Sequence, residues 1–296
     1  MVCYLDILGF SGWYSKTNKR ILNDAINEVI NGFKSNRKEF LDMLYKDSKD
    51  VDRISYEYKP EDEQYIKMLL QKTKIVFLSD SIIISVPILY KNTKISHFPL
   101  FSTLIFTKII VSDIAHKIMR NMNLFIRGAI AYGNDYSFLP IEEEYGNVIQ
   151  SKVLINAVKI EKNAIYPRVV IDDTLFNKVY NINDNWVLQF LENNLFTDFD
   201  CKKCLNLYSG YDNTETKEFK NIIENSLQLC LSKKNKIDSR VLEKILYLVR
   251  FHNIKAKSKQ LKIDVDKIFI ENYKIENQNK FKKKYDYLWK TILKED

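Results

Sequence analysis

The sequence predicts an α+β fold in which a mostly antiparallel sheet carries helices on one face. Short runs of β-branched and apolar residues alternate with longer segments of helical spacing. Two of the short runs flank a three-residue turn, which predicts a β-hairpin. The composition, with 46% hydrophobic and 28% charged residues in a chain of 296, is that of a globular protein.

The predicted elements up to about residue 180 follow the order strand, helix, strand, strand, helix, strand, helix, strand. They are Val2 to Leu5, Ile21 to Leu44, Lys74 to Leu78, Ile82 to Val86, Phe101 to Met122, Leu124 to Tyr132, Lys152 to Asn163 and Pro167 to Asp172. This order is close to a ferredoxin-like core, β-α-β-β-α-β, with extra elements. We therefore predict one domain over residues 1–180 and a mainly helical extension, packed on that core, over residues 181–296.

Charge, cysteines and hydropathy narrow the class of protein. The net charge of +8 suits a polyanionic partner, such as a nucleoside triphosphate or RNA, or a lysine-rich solvated surface. Cys201 and Cys204 form only half of a zinc-site pattern, since a structural zinc site needs four ligands. The longest apolar run is interrupted by Lys108 and is shorter than the roughly 18 residues of a membrane span. No signal peptide or membrane partner is predicted, and a cytoplasmic location is expected.

Asp6 and Asp80 are the candidate metal ligands. Asp6 follows an apolar strand, and Asp80 lies at the tip of the predicted hairpin. In a β-α-β-β layout the first strand and the hairpin tip can lie side by side, so the two carboxylates can converge. Convergence is costly unless a cation lies between them, and Mg²⁺ or Mn²⁺ prefers oxygen ligands. Each aspartate also has a structural interpretation, as a residue that a tight turn tolerates.

The segments near the two aspartates supply further candidates. Ile7 can add its backbone carbonyl to a metal site. The N–H groups of the turn Leu8, Gly9, Phe10 and Ser11 can point at phosphate, because a helix follows. Tyr56 and Tyr58 lie in the insertion between the aspartates and could stack on a base. In a chain with 18 tyrosines they can equally be surface or core aromatics.

Four segments, in order, resemble the motifs of class III nucleotidyl cyclases. They are Asp6-Ile7-x-Gly9-Phe10-Ser11, Ser79-Asp80-Ser81 in a hairpin, Arg127-Gly128-Ala129-Ile130-Ala131-x-Gly133 on a strand, and Gly146 followed by Ala157-x-Lys159-Ile160-Glu161 on a helix. The segment Glu161-x-x-Ala164-x-x-Pro167-Arg168-x-x-Ile171-Asp172 is similar to one in the bacterial pyrimidine cyclases of the Pycsar anti-phage system. The resemblance covers about residues 2–172.

The resemblance implies a reaction and roles for several residues. A pyrimidine nucleoside triphosphate, UTP in preference to CTP, would be converted to its 3′,5′-cyclic monophosphate and pyrophosphate. Asp6 and Asp80 would hold two Mg²⁺ or Mn²⁺ ions, and Lys159 and Arg168 are candidates for phosphate contact. Related enzymes act as head-to-tail dimers, so Lys159 would act across a homodimer interface. Arg127, which lies inside a predicted strand, is expected to be structural.

The chain departs from the family pattern at three positions. Val76 stands where adenine-specific relatives carry lysine, Ile155 aligns with a transition-state asparagine, and Lys159 aligns with a transition-state arginine. These departures argue against an ordinary adenylate cyclase. Two alternatives stay open: a catalytically degenerate cyclase-like module that dimerises or binds nucleotide, and a non-enzymatic RNA-binding protein on a ferredoxin-like sheet. Two acids at a sheet rim would repel a nucleic-acid backbone, so no stable nucleic-acid partner is expected.

Overall fold

Nine strands, nine α-helices with stated bounds and two further helical positions are found in the residues that the structure, a computed structural model, describes. Those residues are 1–14, 24, 27, 60–89, 99–133, 137–140, 147–209, 211–232, 238–256 and 258–272. Tyr56, Tyr58 and the predicted helix Lys282 to Leu293 lie outside them, as does most of the predicted helix Ile21 to Leu44, of which Asp24 and Asn27 are described and helical.

A mixed sheet organises the first part of the chain. Its strands are β1 Val2–Leu8, β2 Lys74–Leu78, β3 Ser81–Ser85, β4 Phe125–Ala131, β7 Val169–Ile171, β8 Leu195–Thr197 and β9 Lys203–Leu205. They lie in the order β2-β3-β1-β4-β7-β9-β8, and strands β5 Ser137–Pro140 and β6 Asn147–Gln150 form a separate antiparallel ribbon. Every neighbouring pair in the seven-stranded sheet is antiparallel except β4 with β7. The predicted α+β class and mostly antiparallel sheet are therefore confirmed.

The helices connect these strands and continue beyond the sheet. They are α1 Phe10–Tyr14, α2 Pro60–Lys72, α3 Pro99–Met122, α4 Lys152–Asn163, α5 Asp173–Tyr180, α6 Asn185–Asn194, α7 Asn213–Ser232, α8 Ser239–Lys255 and α9 Val265–Asn272, with a 3₁₀ turn at Lys259–Leu261. Helix α4 begins where Ser151 accepts a hydrogen bond from the backbone N–H of Leu154, the usual N-cap arrangement.

Helices cover both faces of the sheet, which corrects the prediction that they lie on one face. Side chains alternate between faces along a strand. On β1, Cys3, Leu5 and Ile7 belong to the core that includes α3. Val2 and Tyr4 pack instead with Val153 and Ala157 of α4. The reason is that β1, β3 and β4 are apolar on both faces, so one layer of helices could not bury them.

Helix α3 is the apolar centre of the larger core. By length and composition it could cross a membrane, as buried core helices of soluble proteins also could. Its most apolar stretch of 18 residues is 67% buried inside the protein. Even Lys108, which interrupts the apolar run, is only 4% exposed. The predicted buried helix is thus observed.

Two compact units make up the chain, Met1–Ser209 and Gly210–Asp296, whereas the sequence analysis divided it at residue 180. The first unit extends further because β7 pairs with β9, and β9 with β8. In the second unit, His252 is fully buried, its Nε2 lies 2.8 Å from the Leu261 carbonyl oxygen, and its ring stacks on that of Phe219.

Candidate active site

Strand register brings Asp6 and Asp80 to the same end of the sheet. Asp6 pairs with Ser81 across β1 and β3, and the backbone N–H of Ile7 donates a hydrogen bond of 2.7 Å to the carbonyl oxygen of Asp80. The two acids, far apart in the chain, therefore lie at the same end of the sheet, Asp6 on β1 and Asp80 in the turn that precedes β3. One expectation is corrected: β1 does not stop at Asp6, because Ile7 and Leu8 continue the pairing with Ile126 and Phe125 of β4.

The hairpin turn between β2 and β3 consists of Ser79 and Asp80. Ser79 has a φ of +54°, in the left-handed region that favours glycine. The corresponding motif of class III cyclases has glycine before the aspartate. Ser79 thus adopts a backbone conformation that glycine reaches more easily.

The residue types at this end of the sheet are ones that hard divalent cations bind. In an extended strand, the N–H and C=O of one residue point to the same side. Because the N–H of Ile7 donates to Asp80, the carbonyl of Ile7 also points toward the Asp80 side of β1. Two carboxylates and a carbonyl form the all-oxygen set that Mg²⁺ and Mn²⁺ prefer. In the described part of the chain, no group of three or more His, Cys, Asp or Glu side chains forms a metal cluster, so backbone or substrate oxygens would have to complete the coordination.

Arg127 links Asp6 to a buried glutamate. Its Nη2 donates to Asp6 Oδ2 at 2.9 Å, and its Nε lies 2.5 Å from Oε1 of Glu161. The Asp6 and Arg127 side chains are each 21% exposed, whereas that of Glu161 is 4% exposed. Burial raises the pKa of Glu161 above its ordinary value, the Arg127 charge opposes this, and the Asp6 charge adds to it.

The sequence predicts a structural role for Arg127 and places Glu161 in a motif. Nothing in the sequence connects either residue to Asp6. The connection depends on β1 lying opposite β4, where Asp6 pairs with Arg127, and on α4 crossing the same face. On that face the Tyr4 hydroxyl lies 2.7 Å from the Ser81 hydroxyl, which continues the polar row toward the hairpin. No sequence spacing signals such a row, because strands distant in the chain contribute to it.

The predicted turn Leu8 to Ser11 is reduced to Gly9, because β1 runs to Leu8 and α1 begins at Phe10. Leu8 is the last residue of β1 and pairs with Phe125. Gly9 is exposed with a φ of +84°, a conformation that requires glycine. Phe10 buries its side chain in the core as the first residue of α1, and Ser11 is exposed. These backbone groups stay candidates for phosphate contact.

Lys159 lies on the outer face of α4. Ala157 and Glu161 are four residues apart and face the sheet, whereas Ile155 and Lys159 share the solvent-exposed face. Ile155 is 56% exposed, a high value for an isoleucine. Asn156, the residue after Ile155, donates from Nδ2 to Oδ2 of Asp172 at 2.6 Å and so holds the start of α5. Lys159 thus lies on the exposed face of α4 and not on the face that packs against the sheet.

Arg168 is engaged elsewhere, and this corrects its predicted role in phosphate contact. Its side chain is 2% exposed and forms ion pairs with Asp198 and Asp200, including an Nη1 to Oδ1 hydrogen bond of 2.8 Å to Asp200. The guanidinium also lies against the rings of Tyr166 and Phe199. Burial alone would raise the pKa of Asp200, but hydrogen bonding and the charge of Arg168 hold it below its ordinary value. Arg168 therefore fastens the turn between β8 and β9.

Comparisons with known proteins find a distant structural likeness. No protein-family model and no curated protein matches the chain. Among solved structures, the crystal structure of the guanylyl cyclase Cya2 is similar, with 9% sequence identity and a TM-score of 0.35 over 60% of this chain and 75% of that chain. A likeness of this size carries no functional inference.

Proposed function

We propose that this protein is a nucleotide cyclase of the class III type, acting on a pyrimidine nucleoside triphosphate. The observation that carries the proposal is the pairing of Asp6 with Ser81, which sets Asp80 beside Ile7. It aligns two motifs that resemble the metal motifs of these cyclases. The strand order β2-β3-β1-β4 also supports the ferredoxin-like core that the resemblance implies.

In the proposed reaction, the 3′-hydroxyl oxygen of the ribose bonds to the α-phosphorus of the same molecule. The bond from that phosphorus to the β-bridging oxygen breaks, pyrophosphate leaves, and the hydroxyl proton passes to solvent. When bound, two Mg²⁺ or Mn²⁺ ions would favour ionisation of the 3′-hydroxyl and neutralise charge on the leaving pyrophosphate. Asp6, Asp80 and the Ile7 carbonyl would hold them.

The remaining residues of this chain position the substrate. Backbone N–H groups from Leu8 to Ser11 would orient the triphosphate. Lys159, which faces outward on α4, would supply positive charge to phosphate in the site of a second copy, so the active species would be a homodimer. Lysine acts there as a point charge, without the two-pronged contact of arginine.

Base choice and cellular role extend the proposal further. We favour UTP over CTP, with the cyclic product acting as a second messenger in anti-phage defence in the cytoplasm. Tyr56 and Tyr58 remain the candidates for contact with the base. The support is the resemblance to pyrimidine cyclases together with Val76, which lies on β2 where adenine-specific relatives carry lysine.

One alternative retains specific support. Asp6 is already neutralised by Arg127, and Ile155, whose side chain cannot form hydrogen bonds, occupies the asparagine position, as expected of a cyclase-like module that binds nucleotide without turning it over. The RNA-binding alternative is weaker, because β3 is buried along its length and helices cover both faces of the central strands. No open sheet face is left in this part of the described structure for bases to stack on.

The test is incubation of the full chain with each of the four nucleoside triphosphates and Mn²⁺, with measurement of cyclic product and pyrophosphate. We expect cyclic UMP, and its loss by at least about a hundredfold in Asp80→Ala, because that variant removes a metal ligand. Asp113→Ala, on α3, is the matched control and should keep full activity. A folded protein that forms no cyclic product from any triphosphate would contradict the enzyme proposal and favour the silent module.

A second experiment tests the shared site. Asp6→Ala and Lys159→Ala chains should each be inactive, whereas an equimolar mixture should recover about a quarter of wild-type activity. Random pairing makes half the dimers mixed, and only one of the two sites in a mixed dimer has both residues. A mixture as inactive as its parents would show that each site belongs to one chain.

A further inference from the structure

We propose that Glu161 is a positioning residue that controls how strongly Asp6 binds a divalent cation, acting through Arg127. The inference rests on the proposed function, because it takes Asp6 to be a cation ligand. It goes further in giving a role to a residue that touches neither cation nor substrate. It also predicts that two substitutions along the same chain of contacts change cation affinity in opposite directions.

The contacts define a linear chain of three charges. The guanidinium of Arg127 uses Nη2 for Asp6, at 2.9 Å, and presents Nε to Glu161, at 2.5 Å. Different nitrogens serve the two carboxylates, so Arg127 can keep one partner when it loses the other. The Asp6 end is partly open to solvent, with 21% of the side chain exposed, and the Glu161 end is closed, with 4% exposed.

This difference in burial decides which contact persists. An ion pair that is removed from water is expensive to break, because breaking it leaves a buried charge without compensation. A partly exposed pair such as Asp6 with Arg127 is worth much less, since water can replace either partner. A cation that arrives at Asp6 therefore displaces the Arg127 contact there and leaves the contact to Glu161 in place.

Glu161 has two effects on the cation, both favourable. It anchors Arg127, so the guanidinium need not follow Asp6 toward the cation. It also balances the charge of Arg127, which would otherwise repel a divalent cation a few ångströms away. Without Glu161, Arg127 would have Asp6 as its remaining carboxylate partner in this chain of contacts and would compete with the cation for it.

The test measures Mn²⁺ affinity of the full-length protein without nucleotide, by electron paramagnetic resonance of the free ion. We expect Glu161→Gln to weaken Mn²⁺ binding about tenfold, the lower end of the range for residues that orient metal ligands. Arg127→Gln should tighten binding, because Asp6 loses its competitor. The double variant Arg127→Gln with Glu161→Gln should bind at least as tightly as wild type.

The double variant separates positioning from a merely structural role. If Glu161 only supported the fold, a second substitution beside it would leave binding as weak or weaker, and that result would overturn the proposal. Glu192→Gln, an exposed glutamate on α6, is the matched control and should leave affinity unchanged. If Glu161→Gln alone fails to fold, the tightening in Arg127→Gln carries the test, and its absence overturns the proposal.

Mn²⁺ binding by an Asp6 variant distinguishes a failure of the proposed cation site from a failure of the role of Glu161 alone. Asp6→Asn should abolish the Mn²⁺ site that the wild-type protein shows. If wild type binds no Mn²⁺, or if Asp6→Asn binds as wild type does, the cation site itself is wrong and the role of Glu161 is overturned with it. If Asp6→Asn abolishes binding but Glu161→Gln matches wild type, the cation site stands and the positioning role is overturned alone.

Discussion

At the scale of single residues, Ser79 shows how a sequence departure is accommodated by the backbone. Its φ of +54° is a conformation that costs a residue with a side chain roughly 1–2 kcal/mol. We predict that Ser79→Gly stabilises the protein by about 0.5–1 kcal/mol, after allowance for the greater freedom of glycine in the unfolded chain. Urea unfolding measures the change. Ser81→Gly, in the adjacent strand, should destabilise; a loss of stability in Ser79→Gly would show that the turn is unstrained.

Arg168 and Lys159, the two basic residues predicted to contact phosphate, should contribute very differently to stability. Arg168→Met should lower the free energy of unfolding by about 3 kcal/mol, because Asp198 would be left buried without its partner. Lys159→Met should stay within about 0.5 kcal/mol of wild type, as exposed positions usually do. Equal stability of the two variants, measured by chemical unfolding, would contradict the structural role of Arg168.

At the scale of elements, the contact between β1 and β4 depends on a glycine. A Cβ on Gly128 would lie 2.5 Å from the Tyr4 carbonyl oxygen and 2.6 Å from a methyl group of Leu5. We predict that Gly128→Ala destabilises the protein by about 1–3 kcal/mol, as forced overpacking does. Gly12→Ala is the matched control, since nothing lies within 4 Å of its added Cβ. Thermal unfolding compares the two, and similar melting temperatures would mean that the strands adjust without strain.

Local pattern predicted individual elements well, and long-range pairing limited the rest. The hairpin, α3 and α4 were predicted within two residues, because β-branched runs and helical periodicity are local signals. The end of β1 was missed, because Ile7 and Leu8 are held by β4, which is distant in the chain. The position of α4 on the second face of the sheet was not predicted. The strand sequences show that both faces are apolar, but they do not show which helix covers each face.

In the candidate site, too, local features could be predicted from the sequence and long-range contacts could not. The turn position of Asp80 could be inferred from its neighbours, whereas the place of Asp6 inside β1 could not, and the register brings both residues to the same end of the sheet. The Arg127 link to Glu161 could not be inferred, because it joins a strand to a helix through side-chain reach. The pairing of Arg168 with Asp198 and Asp200 could not be inferred either, because it joins the residue before β7 to a turn about 30 residues further along the chain.

At the scale of the whole molecule, the two units should respond differently to acid. Burial lowers the pKa of His252, so its neutral form is favoured by folding, and the stability it gives the second unit is present above pH 6.5 and lost as pH falls through the folded value. The pKa of Asp200 is held below its ordinary 3.8, so its contribution to the first unit persists until pH falls below that value.

We therefore predict that amide hydrogen exchange accelerates in α7 and α8 on going from pH 7 to pH 5, after correction for intrinsic rates, while β1, β3 and β4 stay protected. His252→Gln should remove most of this pH dependence, because the titrating group is gone. A second unit whose protection is constant from pH 7 to pH 5 would show that His252 does not titrate in this window.

Helix α4 also constrains how the length of this chain can vary. Glu161 and Lys159 point in opposite directions and are separated by one residue. A one-residue insertion or deletion inside the helix turns everything beyond it by about 100° about the axis. Such a change would turn Glu161 away from the sheet and toward the surface, and would turn the exposed face that carries Ile155 and Lys159 toward the interior. Substitutions leave the spacing intact. Homologous chains should therefore differ here in composition but not in residue count.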